Sequence, residues 1–310
     1  MNARLAHVQS AIEPLTGDAR AIARSVMYAS LFDYPLTLAQ LRQTLIESAQ
    51  TPTEILRTYA ANPDLRAVVA CRDGFYFPAD RPGLPAERRD REVRSRAFLA
   101  RHRRLLTLIC ALPFVRLVAL SGSIAHQNLE GSGDLDLFIV VRGRHVWSVA
   151  VTTIVLARLL RLRRTLCANF VLSDRHLAIA NGDLFAASQV IHLKPLVGED
   201  LLRQLVAANP FVQRYYPNFT PAMARHGGYH VPTMPAAIKR VVEWGLALPG
   251  AMAEVVCRTA YRHYLRRQMA TWQSPDQVRL DDECLKLHTR SHRRTTLERF
   301  DSVVRRTIGA

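Results

Sequence analysis

Two short groups in this 310-residue chain have the residue types and spacing for chemistry. The first is Gly122-Ser123. The second, Asp134-Leu135-Asp136, follows after a gap of ten residues. Side chains two apart on an extended strand share a face, which places Asp134 and Asp136 side by side. Two such carboxylates repel unless cations lie between them. Mg²⁺ favours oxygen ligands of this kind and completes its shell with water and substrate phosphates. Two Mg²⁺ ions about 3.5–4 Å apart would clamp the attacking and leaving oxygens of a phosphoryl transfer. Gly122 lets a phosphate approach the backbone, and the Ser123 hydroxyl with nearby amides at a helix start can bind phosphate oxygens. The pattern describes a triphosphate cradle facing a metal pair. Its chemistry is attack by a hydroxyl on the α-phosphate, with pyrophosphate leaving.

The elements that must hold these groups are legible around them. An apolar run, Phe114 to Leu120, enters the small-residue turn Ser121-Gly122-Ser123. A second apolar run, Leu137 to Val141, follows Asp136. The order is strand, turn, short helix, strand. A third candidate strand spans Leu166 to Ser173, after an apolar helix from Val146 to Leu162. Asp183 is placed to cap a helix from Leu184 to Leu193.

Gly-Ser, a gap of this length and Asp-x-Asp at the head of a strand resemble the nucleotidyltransferase superfamily that includes the polymerase-beta-like and minimal nucleotidyltransferases. Leu31-Phe32-Asp33-Tyr34-Pro35-Leu36-Thr37, Asp73-Gly74-Phe75-Tyr76, Cys167-Ala168-Asn169-Phe170 and Leu193-Lys194-Pro195-Leu196 are similar to a poorly characterised bacterial and archaeal branch of it. The resemblance implies an α+β core, a short mixed sheet with helices on one side. It implies metal-dependent transfer of a nucleoside monophosphate from a nucleoside triphosphate, with Mg²⁺ on Asp134 and Asp136 and the nucleotide on Gly122 and Ser123. The superfamily usually adds a third carboxylate from a later strand, where Leu166 to Ser173 would put Asn169. Cys167, Asn169, Val171 and Ser173 are expected on one face. An amide ligates Mg²⁺ through its carbonyl but cannot act as a general base. Glu130 is the nearest alternative acid, and Asp174 reads as a turn residue. A catalytically degenerate protein that binds nucleotide or nucleic acid for regulation is therefore the second reading. The acceptor and the nucleobase are left open.

The rest of the chain supplies context. The net charge is +16, with a pI near 10.5, which suits a nucleotide, RNA, DNA or another acidic partner. Arginine carries nearly all of it, since lysine occurs only at 194, 239 and 286, a bias that base composition alone also produces. The five cysteines are scattered, without Cys-x-x-Cys spacing, so structural zinc and a disulfide framework are disfavoured and a reducing cytoplasm fits. The Val146–Leu162 segment contains Arg158 and Arg161 and falls short of a membrane span. It is expected to be a buried helix, with a membrane-surface helix as the other reading. Four regions are expected. They are a leader helix (1–19), a winged helix-turn-helix (20–85), the nucleotidyltransferase core (86–205) and a C-terminal helical domain (206–310). The core opens with a long arginine-rich helix, Ala86 to Leu112. His126 and His145 read as helix-surface or turn residues. His288 and His292 have helical metal-site spacing but sit among arginines.

Overall fold

The computed structural model describes residues 15–131, 133–224, 231–287 and 291–309, the side chains at 169, 223 and 224 excepted. The protein is α+β and divides into two compact units. Unit one comprises Met1–Asp90, Phe211–Thr220 and Arg293–Ala310, and unit two comprises Arg91–Pro210 and Pro221–His292.

Unit one begins with α1 (Gly17–Ser30), which buries Ile22, Ala23 and Val26. Most of the expected leader helix lies outside the described residues. Next come β1 (Leu36–Thr37), α2 (Leu38–Gln43), α3 (Pro52–Ala61) and α4 (Pro63–Val68). Thr37 and Thr51 each form a full capping box, with Gln40 and Glu54, and so satisfy otherwise orphaned amides at the starts of α2 and α3. The strands β2 (Val69–Arg72) and β3 (Phe75–Pro78) form a hairpin across Asp73-Gly74, both at positive φ, and β1 pairs with β3.

Helix α5 (Leu84–Arg101) then carries the chain from unit one into unit two, followed by α6 (Arg103–Ala111). The single long helix expected here is interrupted at His102, whose Nδ1 bonds the Phe98 carbonyl at 2.8 Å. Two of its arginines are buried rather than solvated. Arg88 stacks over Tyr34 and Phe75, and Arg91 joins unit two.

Unit two is built on β4 (Val115–Ser121), the short helix α7 (Gly122–Ala125), β5 (Leu135–Val141), α8 (Val146–Leu159), β6 (Leu166–Ser173), α9 (Leu184–Ile191), β7 (Lys194–Val197) and α10 (Glu199–Ala207). A short helix, α11 (Phe211–Tyr215), belongs to unit one. Then come α12 (Ala236–Gly245), α13 (Ala247–Arg267), β8 (Val278–Leu280) and β9 (Cys284–Leu287). The six strands form one mixed sheet, ordered β7-β4-β5-β6-β9-β8. Only β5 and β6 run parallel, as the α8 crossover between them requires. Pro195 is tolerated because β7 is an edge strand. Finally α14 (Arg293–Ile308) returns to unit one, where Phe300 meets Tyr28 edge-on at 5.1 Å.

The expected boundary at 205/206 therefore differs from the observed division. Residues after 206 contribute β8 and β9 to the central sheet and α11 and α14 to unit one. Leu120, Leu137 and Ile139 pack into a core with Leu106 of α6 and Trp147 of α8. Leu117, Ala119 and Val140 lie outside that core yet are equally buried, so the second face of β4 and β5 is covered too. The break between α12 and α13 falls at Leu246, just ahead of Pro249-Gly250. Pro249 sits in the first turn of α13, where its missing N–H is no loss. Among the described residues no helix is long and apolar enough to cross a membrane.

One buried carboxylate ties α13 to α8. His145, at the start of α8, gives no side-chain cap. Glu254 of α13 caps it instead, accepting bonds from the Trp147 amide (2.9 Å), the Ser148 amide (2.7 Å) and the Ser148 hydroxyl (2.6 Å). Replacing Glu254 with Ala should destabilise the protein by about 2–4 kcal/mol in urea unfolding, and Glu254→Gln by less, because one acceptor survives.

Candidate functional site

The Gly-Ser bend and the second aspartate meet because of strand register. β4 and β5 are antiparallel, and their last aligned pair is Ser121 with Asp136. Gly122 follows at φ +62°, a backbone conformation suited to glycine. An ideal Cβ on Gly122 would lie 2.4 Å from Oδ2 of Asp136. The carboxylate thus occupies the space that any other residue at 122 would fill. Ser123 is exposed, and its carbonyl accepts the Asn128 amide at 2.9 Å. Asp134 is exposed just ahead of β5, and the Leu135 amide next to it bonds the Thr165 carbonyl at 2.7 Å. Asp136 is half-buried.

The third expected contributor, Asn169, lies on β6, and its side chain is outside the described residues. Its backbone surroundings differ from simple alternation. Cys167 pairs with Asp136 and Phe170 with Phe138, so Ala168 and Asn169 together oppose Leu137 in a bulge. Beyond the bulge the Phe170 and Phe138 rings stack at 5.0 Å, while Val171 shares the α6–α8 core with Ile139. Cys167 and Val171 therefore face opposite sides of the sheet, and the four-residue face expected from the sequence is split.

The alternative acids are committed elsewhere. Glu130 pairs with buried Arg91 of α5 at 3.2 Å, and Arg91 also reaches Oδ1 of Asn128 at 3.4 Å. The backbone of the same loop is fixed by the Leu129 amide donating to the Ser95 hydroxyl at 3.1 Å. Asp174 accepts the Gly143 amide at 2.8 Å, at the far end of the strands. Ser173 beside it pairs with Val141 and Cys167 with Asp136, which separates Asp174 from the bend by about 20 Å of strand. Asp174 is thus the turn residue its sequence context suggested. Among the described residues no group of three or more His, Cys, Asp or Glu side chains gathers as a metal site. His288 lies outside the described residues, and His292 is exposed.

The sequence reading missed a basic cluster at the level of the bend. Lys194 of β7 pairs in register with Leu120, one residue before Ser121. Burial lowers its pKa, with no carboxylate contributing. His192, two residues earlier, lies against the His126 ring at 4.1 Å, and its Nδ1 bonds the Ser188 carbonyl at 2.7 Å. One signal was available, since Lys194 is one of three lysines in an arginine-dominated chain. His145, far from the bend, stacks on Phe114 at 3.6 Å. It is a packed residue rather than a surface one.

Comparison with family models, curated proteins and solved structures yields no match to this chain.

Burial pushes the His192 imidazole down to about 4 from an ordinary value of 6.5. The unfolded chain therefore takes up a proton in the range where the folded protein does not. The stability His192 contributes is fully present above pH 6.5 and is lost as the pH falls towards 4. His192→Gln should flatten the stability profile across that window by up to about 3 kcal/mol, read from urea midpoints at successive pH values.

Proposed function

We propose that this chain is a metal-dependent nucleotidyltransferase with a nucleotidyltransferase-type core in unit two. It moves a nucleoside monophosphate from a nucleoside triphosphate to an acceptor hydroxyl. The observation that carries this reading is the seat of Asp136 against the bare α-carbon of Gly122, produced by the Ser121–Asp136 pairing. Across that seat the Gly122-Ser123 bend is open to phosphate oxygens, with the exposed Ser123 hydroxyl as a donor. Half-buried Lys194, beside the bend on β7, supports an anionic occupant nearby.

The donor set fits Mg²⁺, which takes one or two carboxylates and keeps its remaining positions for water and phosphate. Asp134 and Asp136 would hold it, and it would supply neutralising charge to the triphosphate. The chain's own part is to bind the phosphates at 122–123 and to present the two carboxylates at the start of β5.

A second reading has its own support. Glu130 is ion-paired and Asp174 lies at the opposite strand end, so no third acid is evident among the described residues to activate the acceptor. A catalytically degenerate protein that binds nucleotide would have this arrangement. The helices and hairpin of unit one follow the order of a winged helix and could serve a regulatory partner in either reading.

Incubation with Mg²⁺ and each α-labelled nucleoside triphosphate, alone and with RNA, tests the proposal. Label should be transferred by the native protein. Asp134→Asn with Asp136→Asn should reduce transfer by about 100-fold or more. Gly122→Ala should weaken nucleotide binding by displacing Asp136. Transfer that survives the double asparagine variant sinks the site. Nucleotide binding without transfer, lost in Gly122→Ala, selects the second reading.

A further inference from the structure

Helix α12 and the first half of α13 are inside out, whereas Cys257, Tyr261 and Leu265 of the second half pack on the core. In α12 the inward residues are Lys239, which donates to the Val115 carbonyl at 2.6 Å, and Glu243, only 4% exposed, which accepts the Phe114 amide at 2.8 Å and pairs with Arg142 at 2.8 Å. Glu254 does the same for α13. The outward residues are apolar. Val241 is 69% exposed, Trp244 83%, Leu248 75% and Met252 67%, with Ile238 and Val255 also exposed. A helix in water normally shows the reverse polarity, and a continuous exposed apolar patch of this kind marks an interaction surface.

Charge identifies what would cover it. Glu243 and Glu254 are the only acids in residues 236–267, and both are turned inward. The outer surface keeps Arg240, Arg266 and Arg267 exposed. Beside Trp244 opens a cavity of about 420 Å³ lined by Arg142, Arg144, Arg175, Arg240 and Phe114. Glu243 is the one acid among its described lining residues, and it is already bonded. A second copy docked through the same face would set arginines against arginines. Arginine forks match phosphate oxygens, and an exposed indole with flanking arginines suits the boundary between headgroups and acyl chains.

We propose that the α12–α13 face docks on an anionic lipid surface, with Trp244, Leu248 and Met252 entering the acyl boundary and the arginine-lined cavity receiving a headgroup phosphate. Helix α8, by contrast, buries Trp147, Val149 and Ala150 and leaves Val155, Leu159 and Leu160 exposed towards its end. The docking site is remote from the Gly122 bend. Arg142 follows the end of β5, while Asp136 stands near its beginning. It does not depend on nucleotide chemistry.

Co-sedimentation with phosphatidylcholine vesicles, with and without phosphatidylglycerol, provides the test. The full-length protein should bind only the anionic vesicles, with a blue shift in tryptophan emission that Trp244→Phe removes. Trp244→Ser with Leu248→Ser should weaken binding about tenfold or more while leaving the urea midpoint in place. Arg144→Glu with Arg240→Glu should abolish the preference for anionic lipid. Absence of binding to the anionic vesicles overturns the proposal. Full binding by the serine variant also overturns it, since general charge adsorption would then suffice. Self-association that the serine variant abolishes, without vesicle binding, assigns the face to a second copy instead.

Discussion

A single register pair, Ser121 opposite Asp136, governs the candidate site. It fixes where β4 ends and where β5 begins. Because β4 is followed directly by a glycine at positive φ, the carboxylate of Asp136 can sit where a side chain would otherwise be. A one-residue slip would turn the whole apolar set of β5 to the wrong side. Leu135, Leu137, Ile139 and Val141 all lie in the α6–α8 core, so burial holds the register from one face while the site uses the other. Core packing and site geometry are thus two results of the same alternation.

That alternation made much of unit two legible in the sequence. The limits of β6 and the starts of α8 and α9 agree with the apolar runs, and the Asp183 cap is present at 2.8 Å to the Ala186 amide. Gly122 and Asp136 could be paired from spacing alone. What the sequence did not disclose depends on long-range pairing. The bulge at Ala168-Asn169 arises from matching β6 to β5 and leaves no local mark. β7 is four residues long and contains a proline, and β8 and β9 are three and four residues long, too short for a period to show. The commitment of Glu130 to Arg91 joins residues 39 apart in number, through a helix whose run of arginines carries no local mark of which one is buried.

The polarity of α12 and α13 was hidden for a different reason. Apolar residues at helical spacing ordinarily mark the buried side. Here two carboxylates take that side because each finds backbone amides that need an acceptor, at Phe114 and at the start of α8. Burying a charge is costly without such partners, and each glutamate has them. Once the inner positions around them are filled by Glu243 and Glu254, the apolar residues from Ile238 to Val256 are left outside.

The chain path of unit one has a consequence for the order of synthesis. Its first ninety residues are completed by Phe211–Thr220 and by α14, which supplies Phe300 to the ring of Tyr28. Everything in unit two is translated between those pieces. The whole of unit two is therefore synthesised before the last helix of unit one exists. During that interval the side of α1 bearing Tyr28 lacks the helix that covers it.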